Sequence, residues 1–397
     1  MRKILLACFF FFSGFARTDF TKIYGIQLFV IIAIIYLVYS YMVNIHSDEI
    51  RDEGARAYKR FILWSIPGLL IGLYFAKYDA IYFYVYSLLP ILLYIKCVDV
   101  DFNLRAFLVL AEISLLIVIA LGWGIHLGLL PIDFLFEDAL ESEVNLGYWG
   151  ISYFESSRNH DYMYPMMCAA IALSSFKKES NILVRYTQLA VFFLCEFTLL
   201  ASLARGGMLT VFIYLFFYVK GLSRNSRITF LVVLGCLTIV FWHDMTRLFG
   251  DVYSNIFLSI FGLSTENHYG SEFSNINRQM IYMDAIKATL VNPIGYGIEN
   301  FSMTSRINGG SAENAYLTLM VERGWIATFF FITFLWKKWR RLSSAVDREL
   351  TINFYLIPAI TVYFLFNYEF TSYMCVFIFF IILISDHKEQ YMLSNVR

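Results

Sequence analysis

The sequence predicts an all-α polytopic membrane protein with about twelve transmembrane helices and one large, partly helical outer loop late in the chain. Three observations carry this. Of the 397 residues, 59% are apolar and only 16% are charged, with a mean hydropathy of +0.62. Globular chains carry roughly 25% charged residues, so a chain this apolar needs lipid as part of its solvent. Apolar runs of near-spanning length recur along the whole chain, and the basic residues gather in alternate connections between them.

The runs lie near 4–16, 23–43, 61–76, 80–95, 106–123, 161–176, 186–203, 207–219, 228–242, 313–336, 351–367 and 373–385. The first follows Met1-Arg2-Lys3 and resembles a secretory leader, but no small-residue cleavage site follows Phe12. It is read as an uncleaved first span. With the N-terminus inside, the cytoplasmic connections hold 21 of the 31 basic residues, as the positive-inside rule requires. Both termini are then cytoplasmic. Residues 1–242 form helices one to nine, 243–312 form the large outer loop, and 313–397 form helices ten to twelve and a cytoplasmic tail.

Two outer segments are too long for simple turns. Residues 124–160 carry Asp133, Glu137, Asp138, Glu141, Glu143 and Glu155 against Arg158 alone. Residues 243–312 make a loop of about 70 residues, a length that predicts internal structure. Within it Ile276, Met280, Met283 and Leu290 share one helical face, Asn275 can cap, and Asn292-Pro293 ends the run. The spacing predicts an amphipathic helix over 275–291, resting on the outer membrane face or on the bundle.

Composition also excludes some classes. Lys+Arg and Asp+Glu are equal at 31 each, which gives no field for nucleic acid. Cys8, Cys97, Cys168, Cys195, Cys236 and Cys375 lie in or beside apolar runs with no metal-ligand spacing, so neither a disulfide framework nor a zinc site is expected.

The chemistry-bearing residues cluster on the outer side. Arg205-Gly206-Gly207 sits between two spans; a guanidinium grips phosphate through a planar fork, or it simply snorkels to an outer turn. Arg278 and Tyr282 lie on the amphipathic helix. A glycine-rich turn, Asn292 to Phe301 with Gly295 and Gly297, follows, and then Arg306. Glu313 and Asn314 open the next span, with Glu322, Arg323 and Gly324 ten residues on; Glu313 can act chemically or cap the helix. Arg158 precedes His160 and Asp161 at the sixth span. Those two are sequence neighbours and point apart on a helix.

Arg205-Gly206, then Arg278 with Tyr282, then Asn292-Pro293-x-Gly295-x-Gly297-x-x-x-Phe301, then Glu313-Asn314-x-Tyr316-Leu317 with Gly324, resembles the O-antigen polymerase and ligase family. These motifs cover about residues 200–330; elsewhere the likeness is one of topology. The resemblance implies a bacterial inner-membrane enzyme whose outer side is the periplasm. It implies an undecaprenyl-diphosphate-linked oligosaccharide as substrate and a chain-length regulator as an expected partner. Ligases carry a histidine where this chain has Glu313. That departure favours the O-antigen repeat-unit polymerase, a glycosyltransferase of lipopolysaccharide biosynthesis.

The implied reaction is an inverting glycosyl transfer with no metal or other cofactor. Arg205 and Arg278 would hold the diphosphate, and Glu313 would serve as base or position the acceptor. Arg306, Arg158, Asn314, Tyr282, Gly295 and Gly297 would line the substrate site. Aromatics of the outer loops (Tyr148, Trp149, Tyr153, Tyr253, Tyr269) could stack on sugars or anchor at the interface. The alternatives are a ligase acting on lipid A core and a lipid-linked oligosaccharide flippase. A flippase would use charge at mid-membrane depth, where Glu112 and Glu196 are the main candidates.

Overall fold

The computed structural model describes residues 1–16, 21–23, 26–43, 52–131, 162–201, 205–230, 271–304, 314–343, 350–367 and 373–396. It is mostly helical (83%). In chain order the helices are α1 Arg2–Ser13, α2 Leu28–Met42, α3 Glu53–Trp64, α4 Ile66–Tyr74, α5 Asp79–Cys97, α6 Leu104–His126 and α7 Met163–Lys178. They continue as α8 Ile182–Ala201, α9 Arg205–Lys220, α10 Ser271–Val291, α11 Ala315–Ser343, α12 Ile352–Phe366 and α13 Tyr373–Val396.

Four of these are long and apolar enough to cross a bilayer: Asp79–Cys97, Leu104–Ile125, Ile182–Ala201 and Ala315–Leu342. Four shorter apolar helices accompany them: Leu28–Met42, Gly206–Lys220, Ile352–Leu365 and Met374–Asp386. This is a helical membrane protein, as its composition predicts; the described residues do not establish twelve spans.

Two local expectations need correction. The apolar run at 23–43 does not start as helix. Lys22–Ile23 pairs antiparallel with Ile26–Gln27 in a two-residue ribbon, and helix begins at Leu28. The buried Gln27 amide oxygen accepts the Thr21 hydroxyl at 2.8 Å, which ties the two ends of the ribbon together. The run at 61–76 is two helices. Asp52 caps α3 by accepting the Gly54 N–H, so that helix starts well before the apolar run. Ser65 then donates its hydroxyl to Phe61 O, and Pro67 restarts the chain as α4.

Helices apolar all round belong in the centre of a bundle. α7 is buried from Met163 to Phe176 and α13 from Met374 to Asp386. The small residues Cys168, Ala169, Ala170 and Ala172 let neighbouring backbones approach α7 closely. α1 sits inside this packing: Phe9 and Phe10 meet Phe377 and Phe380 edge to face, at centroid distances of 5.4–6.0 Å. Glu112 and Glu196 are both buried. Glu112 accepts a hydrogen bond from Gln188 at 3.1 Å, and among the described residues neither carboxyl has a basic partner.

One buried ion cluster fastens the end of the bundle that carries the basic connections. Lys338, 1% exposed, places Nζ 2.6 Å from Asp52, 3.2 Å from Asp386 and 3.0 Å from Leu383 O. Asn353 donates to Asp386 at 2.8 Å. The cluster thereby joins α11, α12 and α13 to the cap of α3. Lys338→Ala removes the cation between two carboxylates, leaving Asp52 with Arg341 and the buried Asp386 with Asn353, and is expected to cost about 3–5 kcal/mol, read as a lowered Tm in detergent. Changing Lys338→Met, Asp52→Asn and Asp386→Asn together should cost much less.

Burial pushes the Asp52 carboxyl upward, but Lys338, the Gly54 N–H and Arg341 outweigh it and hold the group below its usual range. The stabilisation Asp52 provides is therefore present above its ordinary value near 4 and is lost as pH falls through its folded value. The Tm of wild type should fall with acidification more steeply than that of Asp52→Asn.

Candidate functional site

The site grows from α10, the turn that follows it, and a break in α11. α10 begins at Ser271, one turn earlier than its apolar pattern predicts, so Asn275 lies inside the helix and does not cap it. Its end is as expected. Asn292 closes the turn by accepting the Ile294 N–H at 3.3 Å and donating to Gly295 O at 2.8 Å, and Pro293 stops the helix. Ile281 and Ala285 pack with Phe301 and Val321, and Tyr282 packs against that cluster beside Leu317. Met280, Met283 and Leu290 of the predicted apolar face are exposed. In a membrane protein such a face is available to lipid.

α11 is not continuous. Gly324 has φ 82° and ψ 171°, a conformation essentially reserved for glycine. The break frees main-chain groups within the bundle, where they need partners. The turn supplies them. Tyr296 N donates to Val321 O at 2.7 Å, and Gly297 N to Glu322 O at 3.1 Å. In return Trp325 N donates to Pro293 O at 2.9 Å. Ile298 N donates to Gly68 O of α4 at 3.0 Å, so the turn is wedged between α4 and α11.

Such backbone contact requires glycine. A Cβ on Gly324 would lie 2.3 Å from Ile294 O, and one on Gly297 would lie 2.6 Å from Gly72 N. One on Gly295 would lie 2.8 Å from Gly324 N. Both turn glycines have positive φ, near 100°. Asn300, fully buried, donates to Tyr296 O, and Phe301 anchors the far end in the α10–α11 cluster. Each fixed letter of Asn292-Pro293-x-Gly295-x-Gly297-x-x-x-Phe301 thus has a packing or hydrogen-bonding role. Gly295 and Gly297, expected to line a substrate, hold the clamp.

Glu322 and Arg323 immediately precede the break. Arg323 is 2% exposed, donates to Ser87 Oγ at 3.0 Å and lies 5.4 Å from the Phe61 ring centroid. On the turn, Glu299 holds a positive φ of 69°. Burial pushes its carboxyl above the usual range, Asp79 adds to this, and Lys77 opposes it.

Asn314 starts α11. Its Oδ1 accepts the Leu317 N–H at 3.1 Å, and its amide donates to Leu365 O at the end of α12. Asn314 therefore caps α11. Arg205 is the first residue of α9, where unpaired N–H groups and the helix dipole favour an anion. Arg278 lies on α10 one turn before Tyr282, and its position shares the helical face of Ile281 and Ala285. That register runs toward the Asn314 end of α11, because Ala285 and Ile281 pack against Val321 with Leu317 alongside. Arg205 and Arg278 are described at the backbone only. Arg158, Arg306 and Glu313 lie outside the described residues, as do His160, Asp161 and the loop aromatics from Tyr148 to Tyr269.

A further feature was not visible in the motifs. Residues of α9, α11 and α12 together line an apolar groove of about 830 Å³. Leu209, Tyr316 and Thr361 line it near the Arg205 and Asn314 ends; Phe217 and Trp339 line the other end. A groove of this lining suits a hydrocarbon chain, with the start of α9 close to one mouth.

Fold and site define a helical membrane protein with a turn–helix clamp and a separate lipid-sized groove. The model of the O-antigen ligase family, Wzy_C, matches residues 189–332. The match supports the O-antigen polymerase and ligase family for this chain, and it spans α9, α10, the clamp and the first half of α11. No curated protein and no solved structure matches the chain.

Proposed function

We propose that this protein is the O-antigen polymerase that joins undecaprenyl-diphosphate-linked repeat units at the periplasmic face of the inner membrane. The observation that carries the reading is the apolar groove beginning one turn from Arg205, inside the family-matched segment. The polyprenyl chain of the donor lies in the groove. Its diphosphate meets Arg205 at the start of α9 and Arg278 from α10, with Arg306 and Arg158 completing the cationic surround.

The acceptor hydroxyl of a second lipid-linked unit attacks C1 of the donor sugar. A new C1–O bond forms as the bond from C1 to the diphosphate oxygen breaks, which inverts the anomeric centre. The leaving group departs as undecaprenyl diphosphate, stabilised by the arginines. The hydroxyl proton passes to Glu313. Positioning and charge stabilisation supply most of the acceleration in such a transfer.

The family model's own description favours one second reading, a ligase that moves finished glycan to another acceptor. Deleting the gene separates the two. Loss of a polymerase leaves lipopolysaccharide capped with single repeats, whereas loss of a ligase leaves long glycan on undecaprenyl diphosphate. Glu313→Gln is expected to reproduce the single-repeat pattern at normal protein levels. Full ladders from Glu313→Gln would remove Glu313 from the chemistry.

A further inference from the structure

We propose that a cavity at the opposite end of α8 and α9 binds the phosphate headgroup and upper acyl chain of an anionic phospholipid from the cytoplasmic leaflet. The cavity, about 640 Å³, lies where α7, α8 and α9 meet the helical stretch 224–230. Arg185, Asn225 and Ser226 line one part of it; Leu189, Tyr218 and Phe230 line another.

Arg185 is the anion-seeking group. Its Cζ lies 4.8 Å from the Phe176 ring centroid, a cation–π contact that holds the guanidinium in place. Among the described residues no carboxylate or hydrogen bond occupies its side chain, which leaves the planar fork for a phosphate. The polar wall is fixed independently. Arg227 donates from Nε to Val219 O at 3.2 Å and from Nη2 to Lys220 O at 3.1 Å, so the 224–230 stretch is tied to the end of α9.

The surrounding charge is one-sided. Segments 177–185 and 220–230 hold Lys177, Lys178, Arg185, Lys220, Arg224 and Arg227 against the single carboxylate of Glu179. Glu179 is already paired with Arg105. Basic pockets between spans on this side suit anionic headgroups. A soluble anion would have no use for the apolar wall, where Tyr218 packs against Phe192 and Phe230 at 5.7 and 5.5 Å. The proposal does not depend on the polymerase reading.

The test is native mass spectrometry and thermal unfolding of the full-length protein in detergent. It is titrated with dioleoyl-phosphatidylglycerol, with dioleoyl-phosphatidylcholine and with glycerol phosphate alone. Phosphatidylglycerol should be retained and should raise Tm, and the other two should not. Arg185→Gln should weaken phosphatidylglycerol binding about tenfold, the usual scale for one charged hydrogen-bonding group. Arg224→Gln, outside the cavity lining, should leave it near wild type. Equal binding of both phospholipids would overturn the proposal even if Arg185→Gln failed to fold. So would an equal response to glycerol phosphate, undiminished binding by folded Arg185→Gln, or an equal loss in Arg224→Gln.

Discussion

Arg278→Ala is expected to stop glycan chain growth, lowering the polymerisation rate on the order of 10²–10³-fold, the usual consequence of losing one well-placed charge-stabilising donor. The argument starts from register. Arg278 lies one turn before Tyr282, on the face of α10 whose Ile281 and Ala285 pack at the clamp. That packing carries the Arg278 position toward the start of α11, where Asn314 caps and Glu313 precedes it. In the proposed reaction a diphosphate held there would accumulate charge as the anomeric bond breaks, so the arginine would act mainly on the transition state. Arg278→Lys should recover only part of the rate, because an ammonium lacks the two-pronged geometry of the guanidinium. Lipopolysaccharide ladders from a deletion strain complemented with each variant, at matched protein levels, give the readout. Normal ladders from Arg278→Ala would remove this residue from the site.

Gly324→Ala is expected to be as damaging, through the fold and not the chemistry. An alanine at φ 82°, ψ 171° costs about 1–3 kcal/mol in backbone strain alone. Its Cβ would also meet Ile294 O at 2.3 Å, which expels the turn from α11. Val321 O, Glu322 O and the Trp325 N–H would then lose their partners together. The variant should show a lower Tm and greater protease sensitivity after α10, along with loss of polymerisation. Thr328→Ala, one turn further on, removes only a hydroxyl bonded to Gly324 O and should stay close to wild type. Wild-type Tm and ladders from Gly324→Ala would mean that the clamp is not needed.

These two cases mark what the sequence discloses. Helix identity was legible wherever an apolar run was long, as at Leu104–Ile125 and Ile182–Ala201. It was misread where polar capping set the boundary: Asp52 begins α3 eight residues and more before the apolar stretch, and Ser65 with Pro67 divides that stretch in two. The glycine-rich turn was visible as a motif, but its partners were not. Gly297 finds Gly72 and Glu322, and no local pattern links residues so far apart in the chain. On α10 periodicity found a helix and its apolar face, but not whether that face meets lipid or the bundle. Lipid accepts the same residues that a protein core does, so hydrophobicity alone cannot say which side meets protein. The groove escaped detection for a similar reason, since α9, α11 and α12 each look like ordinary spans until they are packed together.

Polymerisation by the purified protein in liposomes tests the central claim most directly. The only substrate is undecaprenyl-diphosphate-linked repeat units, with a chelator present and no ion gradient. Glycan of two or more repeats should form with release of one undecaprenyl diphosphate per bond, and Arg278→Ala should abolish it. Absence of chain growth, with transfer appearing only when lipid A core is added, would contradict the account and identify a ligase.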